Sequence, residues 1–264
     1  MDYREIEPAS ALRPVVRCFW ELRGAAEGAG AVERIVPDGC TEIILNRGSA
    51  FRRFTGDEAH LQAKSLVVGQ LEGPISIQST GSIDLLGIRF EPQGLFRVLG
   101  VPMHELTGAD LCLGQVDETL RRELEEAGAS ARDRVAAVQA ALFRRVDGRW
   151  EHGLVRSAVE LVEGGARSMA EVVRRLGVNR RTLERAFRLE VGLSPKGLAR
   201  IRRVQRVLAR LDEGGVVRSW AEVAGAHGYA DQSHLIREFR QLVGTTPGRY
   251  QRERSELAAH FEMG

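Results

Sequence analysis

The chain of 264 residues reads as an α+β protein: a β-rich N-terminal half with flanking helices, then an all-helical C-terminal segment. Three observations predict this. Short apolar runs broken by turn residues fill the first ~110 residues. Beyond them the apolar period lengthens from about two residues to about 3.6. The charge also changes sign: residues 1–150 hold 18 Lys/Arg against 22 Asp/Glu, whereas residues 151–250 hold 18 against 11.

Composition narrows the class. Hydrophobic residues make up 43% and charged residues 28%, enough for a core and too balanced for a disordered chain. No apolar run reaches the ~18 residues of a membrane span, so no membrane partner is expected. The acidic, polar start MDYREIEPAS does not read as a secretory signal. Cys18, Cys40 and Cys112 form no CxxC pair and are odd in number, which argues against a disulfide framework or a zinc site. A reducing cytoplasm is the expected setting. His60 and His104 are the only histidines before residue 150, and neither has a partner at ligand spacing. Neither a metal nor a cofactor is expected.

Taken in order, Ala31–Val36, Thr41–Asn46, Ser65–Gly69, Ile75–Ser79 and Ser82–Phe90 are predicted strands, rich in Ile, Val and Leu. Pro37-Asp38-Gly39, Asn46-Arg47-Gly48, Glu72-Gly73-Pro74 and Thr80-Gly81 supply turns between them. Gly24–Gly30 reads as a surface loop. Strands at this spacing suggest a sandwich or small barrel. Pro92–Gly100 reads as a short helix. Val116–Ala127 and Ala131–Val146 read as two amphipathic helices split by Gly128, forming a helical linker over 116–146. The stripe Val135, Val138, Leu142 and Val146 either seals the back of the N-terminal domain or pairs with a symmetry mate in a homodimer. The expected domains are 1–148 and 151–255.

The last hundred residues carry the densest signal. In Ser168–Gly192, Ser168 can cap a helix, Glu171 completes a capping box, and Gly177 ends the helix. Asn179 can cap the next helix, with Leu183, Ala186 and Phe187 inward and Arg180, Arg181, Glu184, Arg185 and Arg188 outward. The layout recurs 52 residues later: Leu183, Arg185, Phe187 and Arg188 align with Leu235, Arg237, Phe239 and Arg240. There Ser219 and Asp231 cap, Ala221, Val223 and Ala224 pack, Gly228 breaks the chain, and Gln232, Ser233, Ile236, Arg237 and Arg240 face outward. Pro195–Leu211 joins the units as one helix. Two short helices with a tight turn, the second studded with arginine, are the helix-turn-helix layout. Such a helix fits the DNA major groove, where arginine can donate two parallel hydrogen bonds to guanine. Arg185 and Arg237 could instead pair with Glu184, Glu190 or Glu238 and simply solvate the surface. Arg174, Arg175, Arg200, Arg202 and Arg203 could grip phosphates or form a solvated face. His234 could touch a base, cap or pack.

The stretch A-F-R-L-E-V-G-L-S-P (186–195) and the run from Ala221 to Tyr250, A-E-V-A-x-x-x-G-Y-x-D-Q-S-H-L-x-R-x-F-R-x-x-x-G-x-T-P-G-x-Y, resemble the AraC/XylS family of bacterial transcription regulators. The resemblance implies about seven helices, two helix-turn-helix units and double-stranded DNA as partner. RNA polymerase would be a further partner if the protein activates. By position, Asn179, Arg180, Arg181, Glu184 and Arg185 would serve the first reading helix, and Gln232, Ser233, Ile236 and Arg237 the second. Arg188 and Arg240 read as phosphate contacts. Gly225 departs from the family pattern, and a glycine inside a helix costs up to ~1 kcal/mol against alanine. The run Val36–Leu45, and Gly87-Ile88-Arg89-Phe90-x-Pro92 followed by Leu106-Thr107, resemble a sensor domain found beside such units. That implies a small-molecule effector or a dimerisation role. Asp38, Glu42 and Arg89 either line a polar pocket or bound a turn. Cys40, flanked by carboxylates, reads as a buried structural thiol.

Overall fold

The computed structural model describes residues 1–24, 30–56, 58–130, 133–146, 153–166, 168–213, 217 and 219–253. The interior of the Gly24–Gly30 loop, the start of the Ala131–Val146 helix, the 148/151 boundary and the end at 255 lie outside the described residues. The strands are β1 (Asp2–Ile6), β2 (Val16–Gly24), β3 (Val32–Ile35), β4 (Glu42–Asn46), β5 (Phe51–Thr55), β6 (Glu58–Leu61), β7 (Ser65–Val68), β8 (Ile75–Ser79), β9 (Ile83–Phe90) and β10 (Asp110–Cys112). One sheet has the order β1-β2-β9-β4-β7-β10, and a second has the order β3-β8-β5-β6. Every pairing is antiparallel.

The six-stranded sheet is covered on both faces, and its alternation says by what. Phe19, Ile43, Leu45, Val67, Leu86, Ile88 and Phe90 point to one side, into a core shared with helices. These helices are α1 (Gly94–Leu99), α2 (Leu113–Val116), α3 (Glu118–Ser130) and α4 (Arg134–Arg145). Trp20, Leu22, Ile44, Ile83 and Leu85 point to the other side, toward Phe51 and Ile77 of the second sheet. The sequence Glu42-Ile43-Ile44-Leu45 therefore serves two environments in turn.

One expectation is corrected here, and one open alternative finds its answer. Gly128 does not split the linker, because α3 runs through it to Ser130. A glycine costs a packed helix only ~1 kcal/mol, which the face buried by Leu120 and Leu124 outweighs. The stripe Val135, Val138, Leu142 and Val146 is buried within the N-terminal core, so it seals this domain.

The C-terminal domain holds α5 (Leu154–Glu163), α6 (Met169–Leu176), α7 (Arg180–Glu190), α8 (Pro195–Asp212), α9 (Trp220–Ala226) and α10 (Gln232–Val243). Residues 247–253 form a seventh helix, begun by Pro247. Its core gathers Leu183, Phe187, Leu235 and Phe239 around the α8 stripe of Leu198, Ile201, Val204, Val207, Leu208 and Leu211. Among the described residues no helix is long and apolar enough to cross a membrane.

A buried ion-pair network ties the first sheet to α4. Glu21, 3% exposed, accepts from Arg134 Nη2 at 2.8 Å and from Arg4 Nε at 2.7 Å, while Arg134 Nη1 also reaches Asp84 at 2.9 Å. Burial alone would raise the Glu21 pKa, but the hydrogen bonds from Arg4 and Arg134 outweigh it and hold it below the ordinary carboxylate range. A depressed folded-state pKa contributes stability above the unfolded value, and that stability is lost as pH falls through the folded value. Acid titration of unfolding should therefore show a loss that begins at pH ~4.3 and deepens below it. Glu21→Gln should lower stability at pH 7 and flatten this acid limb, measured by urea melts between pH 3 and pH 7. An unchanged acid limb would place the sensitivity elsewhere.

Candidate functional site

Each reading unit is built by capping. Ser168 Oγ accepts from the Glu171 amide at 3.2 Å, and Gly177 closes α6 at φ +65°. Asn179 Oδ1 accepts from the Thr182 amide at 2.8 Å and starts α7. Ser219 Oγ and Asp231 Oδ1 repeat this for α9 and α10, at 3.3 Å and 2.7 Å. Gly228 turns the chain between them at φ +74°. The capping residues read from the sequence all take these positions. Ala221 does not pack as expected and is exposed; Val223 and Ala224 bury that face of α9.

On α7, Arg180, Arg181, Glu184, Arg185 and Arg188 are exposed, and Leu183 and Phe187 are buried. With Asn179 and Thr182, four of these outward residues line a concavity of about 460 Å³: Arg181, Glu184, Arg185 and Arg188. On α10, Gln232, Ser233, Arg237 and Arg240 are exposed and Ile236 is half-buried. The carboxylates within reach are engaged elsewhere. Glu184 takes Arg180 at 2.8 Å, Glu190 takes Arg97 of α1 at 3.2 Å, and Glu238 is shared by Arg200, Arg203 and His234. Among the described residues Arg181, Arg185, Arg188, Arg237 and Arg240 make no ion pair or side-chain hydrogen bond. Such cations stand ready for an external polyanion.

The arginines of α8 do something else. Arg200 Nε donates to Glu238 at 3.1 Å, and Arg203 Nη2 donates to the same carboxylate at 2.8 Å. The Arg203 guanidinium also lies 4.5 Å from the Tyr229 ring centroid. His234 Nε2 sits 3.1 Å from Glu238 Oε1, and its ring meets Tyr229 edge-on at 5.3 Å. These groups pin α10 to α8. Arg202 crosses to the N-terminal domain, where it donates to the Asp38 carbonyl at 2.7 Å. None of the three is a free phosphate grip, because each guanidinium is already engaged within the protein.

The N-terminal half holds a cavity of about 550 Å³ between its two sheets. Its walls are apolar, with Leu22, Ile44, Phe51, Leu66, Ile77 and Leu85 among them. Asp38, Glu42 and Arg89 do meet, at its polar end: Arg89 Nε lies 2.7 Å from Glu42 Oε1 and 3.5 Å from Asp38 Oδ2. Trp20 Nε1 donates to Glu42 Oε1 at 3.2 Å. Burial pushes the Glu42 pKa up against the opposing Arg89 charge. Trp20 and Tyr3, unsuspected from sequence, stand beside this group with ring centroids 6.4 Å apart. Their signal was the period-two alignment of Trp20 and Leu22 on one strand face. Cys40 is buried, and burial followed by the Asp38 carboxylate pushes its thiol well above the ordinary range. It is inert by that measure.

Residues 172–253 match a family described as a helix-turn-helix domain, and residues 4–111 match a domain of unknown function, DUF6597. The capped helix pairs and this match define a helix-turn-helix DNA-binding protein. The matched C-terminal domain is of the AraC type, a class of DNA-binding domain found in transcription regulators. No curated protein matches the chain. Among solved structures it is similar to the apo form of a ToxT variant from Vibrio cholerae strain SCE256, with 12% identity over 93% of this chain and 98% of that one and a TM-score of 0.44. It is similar to ToxT from Vibrio cholerae O395 bound to (E)-4-(8-methylnaphthalen-1-yl)but-3-enoic acid, with 12% identity, coverages of 88% and 98% and a TM-score of 0.47. It is also similar to the AraC-like transcriptional activator CuxR, with 15% identity, coverages of 84% and 90% and a TM-score of 0.26.

Gly225 lies inside α9 without positive φ, and a Cβ built there meets nothing within 4 Å. Gly225→Ala should raise stability by up to ~1 kcal/mol, because the helix loses a glycine and gains no clash. Denaturant unfolding of both proteins checks this, and a lower midpoint for the variant would contradict it.

Proposed function

We propose that the protein places α7 and α10 in two successive major grooves of one DNA site, and that occupancy of the N-terminal cavity by a small molecule modulates this binding. The observation that carries the DNA half is the set of exposed, partnerless arginines on equivalent faces of both helices. α8 spans about 27 Å at 1.5 Å per residue, a fitting separator for grooves ~34 Å apart. Arg185 and Arg237 read bases, with Arg181, Glu184, Gln232, Ser233 and Ile236 beside them. Asn179 and Arg180 set the start of the first helix, and Arg188 and Arg240 hold phosphates.

The regulatory half is supported by one loop. Val36, Asp38 and Cys40 line the cavity, while the carbonyls of Pro37 and Asp38 accept from Gln205 and Arg202 of α8, both at 2.7 Å. Directly after Asp38, Gly39 adopts φ +80°, and a Cβ there would stand 2.7 Å from Leu198 Cδ1. A ligand that shifts this loop must shift its contact with the helix joining both readers.

Two measurements test the reading. Arg185→Ala or Arg237→Ala should cost ~1–3 kcal/mol on the specific duplex and relax preference at one base pair. Arg188→Ala or Arg240→Ala should weaken specific and scrambled duplexes alike and lower the salt slope by about one. Equal losses on both duplexes for Arg185→Ala would make it a phosphate grip. Separately, Ile77→Trp fills the cavity and should change affinity for the specific duplex several-fold. The added pair Arg202→Ala/Gln205→Ala should cancel that change. A cavity-filled protein with native DNA affinity would refute the coupling.

A further inference from the structure

The polar end of the cavity has a charge imbalance that selects among ligands. Arg89 supplies the guanidinium there, with Glu42 at 2.7 Å, Asp38 at 3.5 Å and Glu5 at 3.4 Å around it, while the other charged lining residues, Glu33 and Arg34, lie side by side on the exposed β3 and offset each other. Glu42 Oε1 takes both the Arg89 and the Trp20 donors, and among the described residues Oε2 accepts no hydrogen bond. Trp20 is held in place from behind, since a Cβ on Gly87 would lie 1.9 Å from its ring. The group therefore offers one unused carboxylate oxygen, a surplus of negative charge and two aromatic rings at the end of an apolar chamber.

We infer that the cavity takes an apolar molecule ending in a protonated amine, with the ammonium seated between Glu42, Asp38 and the Trp20 and Tyr3 rings. This deepens the effector reading above and rests on it. An ammonium supplies the missing positive charge, donates to Glu42 Oε2 and gains from the aromatic faces. A carboxylate ligand at this end would compete with three carboxylates for the Arg89 guanidinium and add to the surplus. An alcohol could donate one hydrogen bond but would leave the surplus uncompensated. The chamber volume of about 550 Å³ lies within the range of small-molecule sites.

The experiment uses the full-length protein and two sets of matched probes. One set is 4-phenylbutylamine, 4-phenylbutan-1-ol and 4-phenylbutanoate, and the other is octylamine, octan-1-ol and octanoate. Calorimetric titration measures each. The amine of at least one set should bind at least ten-fold more tightly than its alcohol and carboxylate. Glu42→Gln should remove that preference while changing alcohol binding less than three-fold. Asp38→Asn keeps the acceptor for the Cys40 amide and should give a smaller loss in the same direction, and it serves if Glu42→Gln does not fold. Ile77→Trp should abolish binding of every probe. An alcohol or carboxylate that binds as tightly as its amine, and is lost in Ile77→Trp, overturns the amine assignment and leaves the effector cavity standing. No binding by any probe overturns both. Amine binding that survives Ile77→Trp places the amine outside the cavity and also overturns the proposal.

Discussion

The N-terminal half depends on one constraint: its central sheet must bury both faces with different partners. One face meets α1, α3 and α4 through Phe19, Ile43, Leu86, Ile88 and Phe90. The other meets the second sheet across a space that Trp20, Leu22, Ile44 and Leu85 leave partly unfilled. Cores normally close-pack, because an unfilled void forfeits dispersion contacts. Here the helix side supplies a packed core, so the other side can stay hollow. The Glu21–Arg134 pair then locks α4 against β2 of that sheet. A chamber with a firm back wall is the result.

α8 plays the corresponding part in the C-terminal half. Its apolar stripe forms the centre of the helical core. Its polar residues divide by direction: Arg200 and Arg203 hold α10 through Glu238, while Arg202 and Gln205 hold the Pro37–Gly39 turn. Arg202 also pairs with Glu163 of α5 at 2.6 Å, and Arg17 of β2 reaches the same carboxylate at 2.8 Å. Thr107 Oγ1 donates to the Gly192 carbonyl at 2.9 Å just beyond α7. The contacts of Arg202 with Asp38, Gln205 with Pro37, Arg17 with Glu163 and Thr107 with Gly192 each set a donor on one domain against a carbonyl or carboxylate on the other.

The C-terminal domain was legible because its signals are local. Ser168, Asn179, Ser219 and Asp231 cap within three residues, and the apolar period marks each buried face. The N-terminal strands β1, β2, β5, β6 and β10 were not legible, because remote partners make them viable. Arg53 is 7% exposed within β5 and would argue against a strand, except that Asp110 and the Gly108 carbonyl receive it from 55 or more residues away. Glu21 hides the pattern of β2 in the same way until Arg134 is placed beside it. The site divides likewise. The outward arginines of α7 and α10 follow from helical spacing, while Asp38, Glu42 and Arg89 become one group only when β4 and β9 pair in register, Glu42 opposite Arg89. The α8 arginines were misread because helical spacing reports exposure and not what a neighbouring helix presents.

The Glu238 cluster has a consequence for the DNA itself. A carboxylate 7% exposed and shared by Arg200, Arg203 and His234 leaves α10 little freedom to swing on α8. Breaking such a buried group by removing one member typically costs ~3–5 kcal/mol. In the proposed binding mode α10 is thus mounted on a stiff bar, and a stiff bar measures. Each base pair inserted between half-sites turns the second one by about 34° around the duplex axis, since a turn holds ~10.5 base pairs. In that mode the protein would not follow by flexing, and the duplex would twist to meet it. Spacer length, and the torsional softness of the spacer sequence, would then count toward recognition although no side chain touches those bases.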